Sequence, residues 1–235
     1  MYEDSPCGMI RRIIVGDIAT NCWIYGIGEA CAVIDPGAEA DKIIAALKRL
    51  NMRPLYILLT HGHFDHIAAL PALAGYYGKT AGAEANGAET GGAPVIAVHR
   101  LDTEYFGPAS LEVHRRSFAA AAGNAAYVDA LWNGMPKPDR LLEDEDEIGP
   151  FTVLSLPGHT RGSAAFYDKS AGVLFSGDTL FRDSYGRTDL PGGNSGSIHQ
   201  SLRKLLAMDK NIRVYPGHGP ETTIGREVSL LQEIS

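Results

Sequence analysis

Cysteine is scarce in this chain: three among 235 residues, Cys7, Cys22 and Cys31. An odd set without close pairing excludes a disulfide framework and a thiolate zinc site, and leaves Cys22 and Cys31 as small apolar strand residues. Basic runs are equally short, none longer than Arg11-Arg12 or Arg115-Arg116, and the net charge is −7. A polyanion would be repelled, so nucleic acid is not an expected partner. Long apolar runs are missing too. No stretch approaches the ~20 residues that span a bilayer, and the opening Met1-Tyr2-Glu3-Asp4-Ser5-Pro6 is acidic, without the apolar core of a secretory leader. The expectation is a cytoplasmic protein with reduced thiols and no membrane partner. Nothing in the sequence marks an oligomeric state.

What is present is enough apolar character, 45% of residues, to bury a substantial core as one domain over residues 1–235. Met9 to Val15, Asn21 to Ile27 and Ala30 to Ile34 read as strands broken by Gly16-Asp17 and Gly28-Glu29 turns. Glu39 to Leu50 places Ile43, Ile44, Leu47 and Leu50 on one helical face, and Pro54 opens the next strand, an α/β arrangement. Ile67 to Tyr76 reads as a helix. Residues 80–93, rich in Ala and Gly, read as a flexible insertion. Leu101 to Met135 suggests two or three short helices packed over a sheet edge, and Glu143 to Glu147 a solvated acidic turn. Two further helices are expected, one carrying Ile198, Leu202, Leu205 and Leu206, the other from Ile224 to Ile234.

The chemistry lies in four short segments. His61, His63, Asp65 and His66 fall within Thr60-His61-Gly62-His63-Phe64-Asp65-His66, and His159, Asp178 and His218 follow in Pro157-Gly158-His159, Ser176-Gly177-Asp178 and Pro216-Gly217-His218. Each segment follows an apolar β-rich run: Tyr56 to Leu59, Phe151 to Leu156, Val173 to Phe175 and Ile212 to Tyr215. Strand ends of a shared sheet edge bring such distant residues together. A lone Pro-Gly-His is ordinarily a turn, but three imidazoles and a carboxylate within six residues would be costly to bury without a metal. His61 and His63, two apart, face the same way in extended backbone and can grip one ion with His159. Asp65 and His66 then turn toward a second ion with His218, and Asp178 can bridge both. Imidazole and carboxylate donors suit zinc, with iron or manganese as alternatives. Open positions on two divalent ions would give a metal-bound hydroxide at neutral pH. His99 is expected to be a hydrogen-bonded structural residue, and His114 and His199 to lie on the surface.

With these motifs in place, the chain resembles the metallo-β-lactamase superfamily, whose His-x-His-x-Asp-His signature is met by His61, His63, Asp65 and His66. The later motifs at His159, Asp178 and His218 fall in the family's order, and the resemblance runs from about Ile10 to about Arg226. It implies an α/β fold, a four-layer αββα sandwich, with a dinuclear site at one edge of two sheets. Phe181 to Asn194 should line the pocket. Its Gly186-Arg187-Thr188-Asp189 and Pro191-Gly192-Gly193 elements resemble compact bacterial glyoxalase II-like proteins. The implied activity is hydrolysis of a small-molecule thioester, with Asp65 and Asp178 catalytic and Arg187 and Tyr185 at the substrate. Arg187 could hold a substrate carboxylate as a planar fork, or pair with Asp183 or Asp189. Class B β-lactamases usually lack an aspartate at the place of Asp178, which favours a thioester over a β-lactam. The rival implied by the same fold is a persulfide dioxygenase with one iron on His61, His159 and Asp178. A non-catalytic metal-binding module is the third reading.

Overall fold

Alternating burial along the strands builds two sheets with two faces each. The computed structural model describes residues 3–4, 8–80 and 92–230, so most of the expected insertion at 80–93 and the end of the last expected helix lie outside the described residues. The first sheet runs in chain order: β1 (Glu3–Asp4), β2 (Met9–Val15), β3 (Thr20–Ile27), β4 (Ala30–Ile34), β5 (Arg53–Leu59), β6 (Val95–His99) and β7 (Arg140–Leu142). The meander β2–β4 is antiparallel, whereas β4 to β7 pair in parallel. The second sheet holds β8 (Glu147–Ile148), β9 (Phe151–Ser155), β10 (Ala164–Asp168) and β11 (Val173–Gly177), then β14 (Arg213–Pro216) and β15 (Thr222–Thr223) beside β11. A small hairpin, β12 (Leu180–Phe181) and β13 (Ser184–Tyr185), stands apart.

Period-2 alternation assigns each residue to a layer. In β3, Trp23 and Tyr25 face the second sheet and meet Phe151, Phe166, Phe175 and Tyr215, while Cys22 and Ile24 face outward into a helical layer. That outer layer comprises α1 (Ala40–Arg49), α2 (Phe64–Ile67), α3 (Leu70–Thr80), a 3-10 turn (Arg100–Tyr105), α4 (Leu111–Ala122) and α5 (Ala126–Leu131). On the far side, α6 (Ser195–Leu206) buries Ile198, Leu202, Leu205 and Leu206 against Leu154, Leu174 and Val214, and α7 (Ile224–Glu227) adds Ile224. The result is the expected four-layer αββα sandwich in a single domain. No helix among the described residues is long and apolar enough to cross a membrane.

Three expectations are corrected. The helix from Ile67 to Tyr76 is two helices, α2 and α3, because Pro71 has no N–H for the Ile67 carbonyl and sits instead in the first turn of α3. His114 is buried, its Nε2 2.9 Å from the Tyr105 carbonyl oxygen. Its ring lies among Phe64, Tyr105 and Trp132, so three aromatic neighbours from other elements made a buried site that α4 alone does not reveal. His199 is half-buried, edge-on to Tyr185. The acidic turn is also tied down: Glu143 pairs with Arg100 at 2.7 Å, and Asp144 accepts from Ser155 N–H at 2.6 Å and Lys204 at 2.9 Å.

Candidate metal centre

All seven predicted ligands meet at one edge of the sandwich, at the C-terminal ends of β5, β9, β11 and β14. His61 and His63 lie on the extended loop after β5, and α2 begins at Phe64. That change of backbone turns Asp65 and His66 toward a different point from His61 and His63, as the spacing predicts. Asp178 directly follows β11, and His218 follows β14, its parallel neighbour. Asn21 clamps this second-sheet edge to the first sheet, donating from Nδ2 to the carbonyls of Pro216 (2.9 Å) and Gly219 (2.8 Å), while Trp23 Nε1 donates to Pro216 at 3.0 Å.

Two ligand clusters result. His61, His63 and His159 form one, and Asp65, His66 and His218 the other, the ligand atoms of each lying within 4.8 Å of one another. Asp178 stands between them: its Oδ1 is 3.4 Å from His66 Nε2 and its Oδ2 is 3.6 Å from His159 Nε2. The outward ring nitrogens are held by the protein. His159 Nδ1 donates to the Arg187 carbonyl at 2.7 Å, and His66 Nδ1 lies 3.0 Å from Asp35 Oδ2. The Thr60 hydroxyl donates to Asp35 Oδ2 (2.6 Å), so its oxygen accepts from His61 Nδ1 at 3.1 Å. Fixing the outer nitrogen as N–H leaves the inner one with its lone pair, the form a metal requires.

The donor set fits divalent metal. His61 Nε2, His63 Nε2 and Asp178 Oδ1 are buried without a hydrogen-bond partner. His63 Nδ1 and His159 Nε2 approach to 2.8 Å, and His66 Nε2 and His218 Nε2 to 3.2 Å. Lone pairs converging so closely call for a cation between them. Protonation states agree at His61, His63 and Asp65. Burial, with His66 and His159 nearby, holds His61 well below the usual imidazole range, and burial with His159 lowers His63 to about 3. Burial would raise the Asp65 carboxyl, but His66 and His218 outweigh it and hold it at about 2. In His66 the carboxylates Asp178 and Asp65 outweigh burial and raise it, favouring the charged ring, so His66 must give up a proton to ligate an ion. Neutral His61 and His63 and an ionised Asp65 are already in the form ligation needs.

Two aspartates that support the centre were not identified from the motifs. Asp35 takes the Thr60 N–H (2.8 Å) as well as the Thr60 hydroxyl and His66, from a left-handed backbone at φ 51°. Its signal was present in Ile34-Asp35-Pro36-Gly37, an acid at a strand end before a turn. Asp102 is fully buried and joins two ligand loops: Gly62 N–H (2.9 Å) and the Thr160 hydroxyl (2.8 Å) donate to Oδ2, and Gly162 N–H (2.7 Å) to Oδ1. Burial pushes its carboxyl up to about 6 despite these donors, so it remains ionised at neutral pH. The backbone also approaches closely. A Cβ on Gly217 would stand 2.1 Å from Asp178 Oδ1, and one on Gly186 1.8 Å from the Asp178 carbonyl oxygen.

His99 is structural, as expected. Its Nδ1 accepts from Leu101 N–H at 3.3 Å, so its Nε2 donates to Ser155 Oγ at 2.9 Å and cannot activate that serine as a base. Arg187 forms two 2.7 Å bonds to Asp189, and Asp183 pairs instead with Arg226 at 2.9 Å. Arg187 and Tyr185 both line a cavity of about 530 Å³ that opens onto His63, Asp65, His159, Asp178 and His218.

Comparisons with known proteins bear on this geometry. The hydroxyacylglutathione hydrolase GloC of Haemophilus influenzae is 34% identical over 225 residues, covering 93% of this chain and 94% of its own. The TTHA1623 protein, solved in a di-iron-bound form, is 36% identical with a TM-score of 0.73, covering 92% of this chain and 96% of its own. The BLEG-1 B3 metallo-beta-lactamase is 32% identical with a TM-score of 0.78, covering 97% of this chain and 100% of its own. The model of the metallo-beta-lactamase superfamily matches residues 15–218, which contain all seven ligands of the centre. Sheet order, ligand geometry and these likenesses agree, and the chain belongs to the metallo-beta-lactamase superfamily, as a metal-dependent hydrolase.

Proposed function

We propose that the chain hydrolyses a thioester at a pair of divalent ions. One observation carries this reading: every His, Asp and Glu that lines the cavity, namely His63, Asp65, His159, Asp178 and His218, belongs to the candidate ligand set. Among the described lining residues no further acidic or imidazole side chain is left over to protonate a leaving group. A thiolate departs without such help, whereas an amine does not. The hydroxyacylglutathione hydrolase name carried by the Haemophilus relative supports the same bond.

His61, His63 and His159 would hold one ion and Asp65, His66 and His218 the other, with the Asp178 carboxylate between the two clusters. When bound, such a pair lowers the pKa of water to roughly 7 and polarises a carbonyl. The chain's own residues do the rest. Asp65, which accepts from the Thr20 hydroxyl at 3.3 Å, would orient the water by accepting a hydrogen bond through its remaining oxygen. Asp35 and the Arg187 carbonyl hold the rings of His66 and His159 against rotation. Phe118, Phe181 and Leu190 shield the approach from bulk water. The N/O donor set suits zinc, iron or manganese, with zinc as our first choice and the di-iron form of TTHA1623 supporting iron.

A second reading, β-lactam hydrolysis, draws support from the likeness to the BLEG-1 protein. Anaerobic assays on a thioester panel and a chromogenic cephalosporin, beside elemental analysis, separate the readings. Thioester cleavage without oxygen, with about two ions per chain, is the expected result. Faster cephalosporin turnover would move the assignment to the second reading, and one iron with oxygen uptake on a persulfide would replace both by a dioxygenase.

A further inference from the structure

The cavity beside the metal centre has one wall that the ligand set does not explain. Ile18, from the turn between β2 and β3, lines it together with Phe118, Ala121 and Ala122 on the last turns of α4 and with Phe181 and Leu190. Ile18 is 41% exposed, unusual for so large an apolar side chain at a functional mouth. The alanines on α4 keep the space open, since any longer side chain there would fill it. Within this wall the one buried polar atom without a partner is Ser117 Oγ, a neutral hydroxyl.

Among the described lining residues Arg187 is the only cation outside the ligand set, and its Nε and Nη2 donate to Asp189 at 2.7 Å while Nη1 is left for a second acceptor. The exposed pair is neutral as a unit, so this rim adds little net charge to the cavity. An apolar group gains from covering Ile18, Phe118 and Leu190 and meets no uncompensated charge.

We propose that this cavity selects a thioester with an apolar acyl chain, which lies along the Ala121–Ala122 face of α4. The proposal rests on the thioesterase reading above and narrows its substrate. Each methylene that reaches the wall should raise kcat/KM by about fourfold, the equivalent of ~0.8 kcal/mol of buried methylene. The gain should stop once the chain outgrows the ~530 Å³ cavity.

The test uses the metal-loaded enzyme and N-acetylcysteamine thioesters of acetyl, butyryl, hexanoyl and octanoyl groups, with glutathione thioesters of the same acyl groups in parallel. The expected result is a rate that rises with acyl length in both series. Ala121→Glu should cut the hexanoyl-to-acetyl ratio by tenfold or more, and Ala121→Leu should shift the optimum to a shorter chain. The leucine variant keeps the wall apolar, so the comparison survives if the glutamate variant folds poorly. Thioester hydrolysis that is flat with chain length in both series overturns this inference and leaves the thioesterase reading intact. Absence of turnover on every thioester overturns both.

Discussion

Asp102 offers the sharpest test of how the ligand loops are held. Asp102→Asn keeps the shape of the side chain but leaves one acceptor oxygen. In its better orientation that oxygen keeps Gly62 N–H and the Thr160 hydroxyl, and the amide turns its own N–H toward Gly162 N–H, which sat 2.7 Å from the carboxylate. The variant therefore loses one charge-assisted hydrogen bond, worth roughly 1.5–3 kcal/mol, and strands a buried donor at a further ~1–3 kcal/mol. Relief from burying a charge offsets part of this, since burial already strains the carboxyl enough to raise it to about 6. A net loss of about 2–3 kcal/mol is expected in urea unfolding at pH 7. The second readout is more specific. Gly62 separates His61 from His63, so the ion on His61, His63 and His159 should bind 10–100-fold more weakly, roughly the effect of removing an outer partner of a ligand, whereas the ion on Asp65, His66 and His218 should be nearly unaffected. Competition against a chromophoric chelator measures both constants. Equal weakening of the two ions, or unchanged affinity with lowered stability, would refute the idea that Asp102 acts through the His61–His63 loop.

Two more predictions concern the bridge and the buried imidazole. Asp178→Ala removes the carboxylate placed between the clusters, so metal content and thioester turnover should fall together; elemental analysis showing two retained ions would remove Asp178 from the bridging position. His114 is held at about 4, chiefly by burial, against an unfolded value of ~6.5. Its contribution to stability is complete above pH ~6.5 and is lost as pH falls toward 4, by about 3 kcal/mol in all. His114→Gln keeps an N–H for the Tyr105 carbonyl and should flatten that part of the acid limb; a urea-midpoint profile parallel to that of the original protein would show that other groups cause it.

Much of the layer structure was legible because it is written in local periods. Trp23 and Tyr25 alternate with Cys22 and Ile24, and Ile198, Leu202 and Leu205 recur at helical spacing, so each element declares its faces without knowledge of its neighbours. The ligands were legible for a different reason, namely that His61 to His66 are too dense in metal-binding groups to be ordinary loop. Asp102 and His114 had neither signal. Asp102 is one of 28 acidic residues, and its partners Gly62, Thr160 and Gly162 are backbone groups and a hydroxyl up to 60 positions away. Arg187 shows the limit from the other side: a choice of Asp183 or Asp189 was open in the sequence, and was settled by Arg226, from α7, occupying Asp183.

The crowding at Gly217 and Gly186 has a consequence for how such a protein changes over generations. Around Asp178 there is no room for even a methyl group, so a side chain at Gly217 or Gly186 would displace it and disturb the reactive edge. The face of α4 that borders the same cavity is made of exposed alanines on a helix between β6 and β7, supplying none of the seven ligands. Mutations at Ala121 and Ala122 can therefore accumulate, and alter which molecules are accepted, without passing through inactive intermediates. A lineage built this way can explore new substrates while its hydrolytic core is inherited intact, and a laboratory library should be aimed at α4 for the same reason.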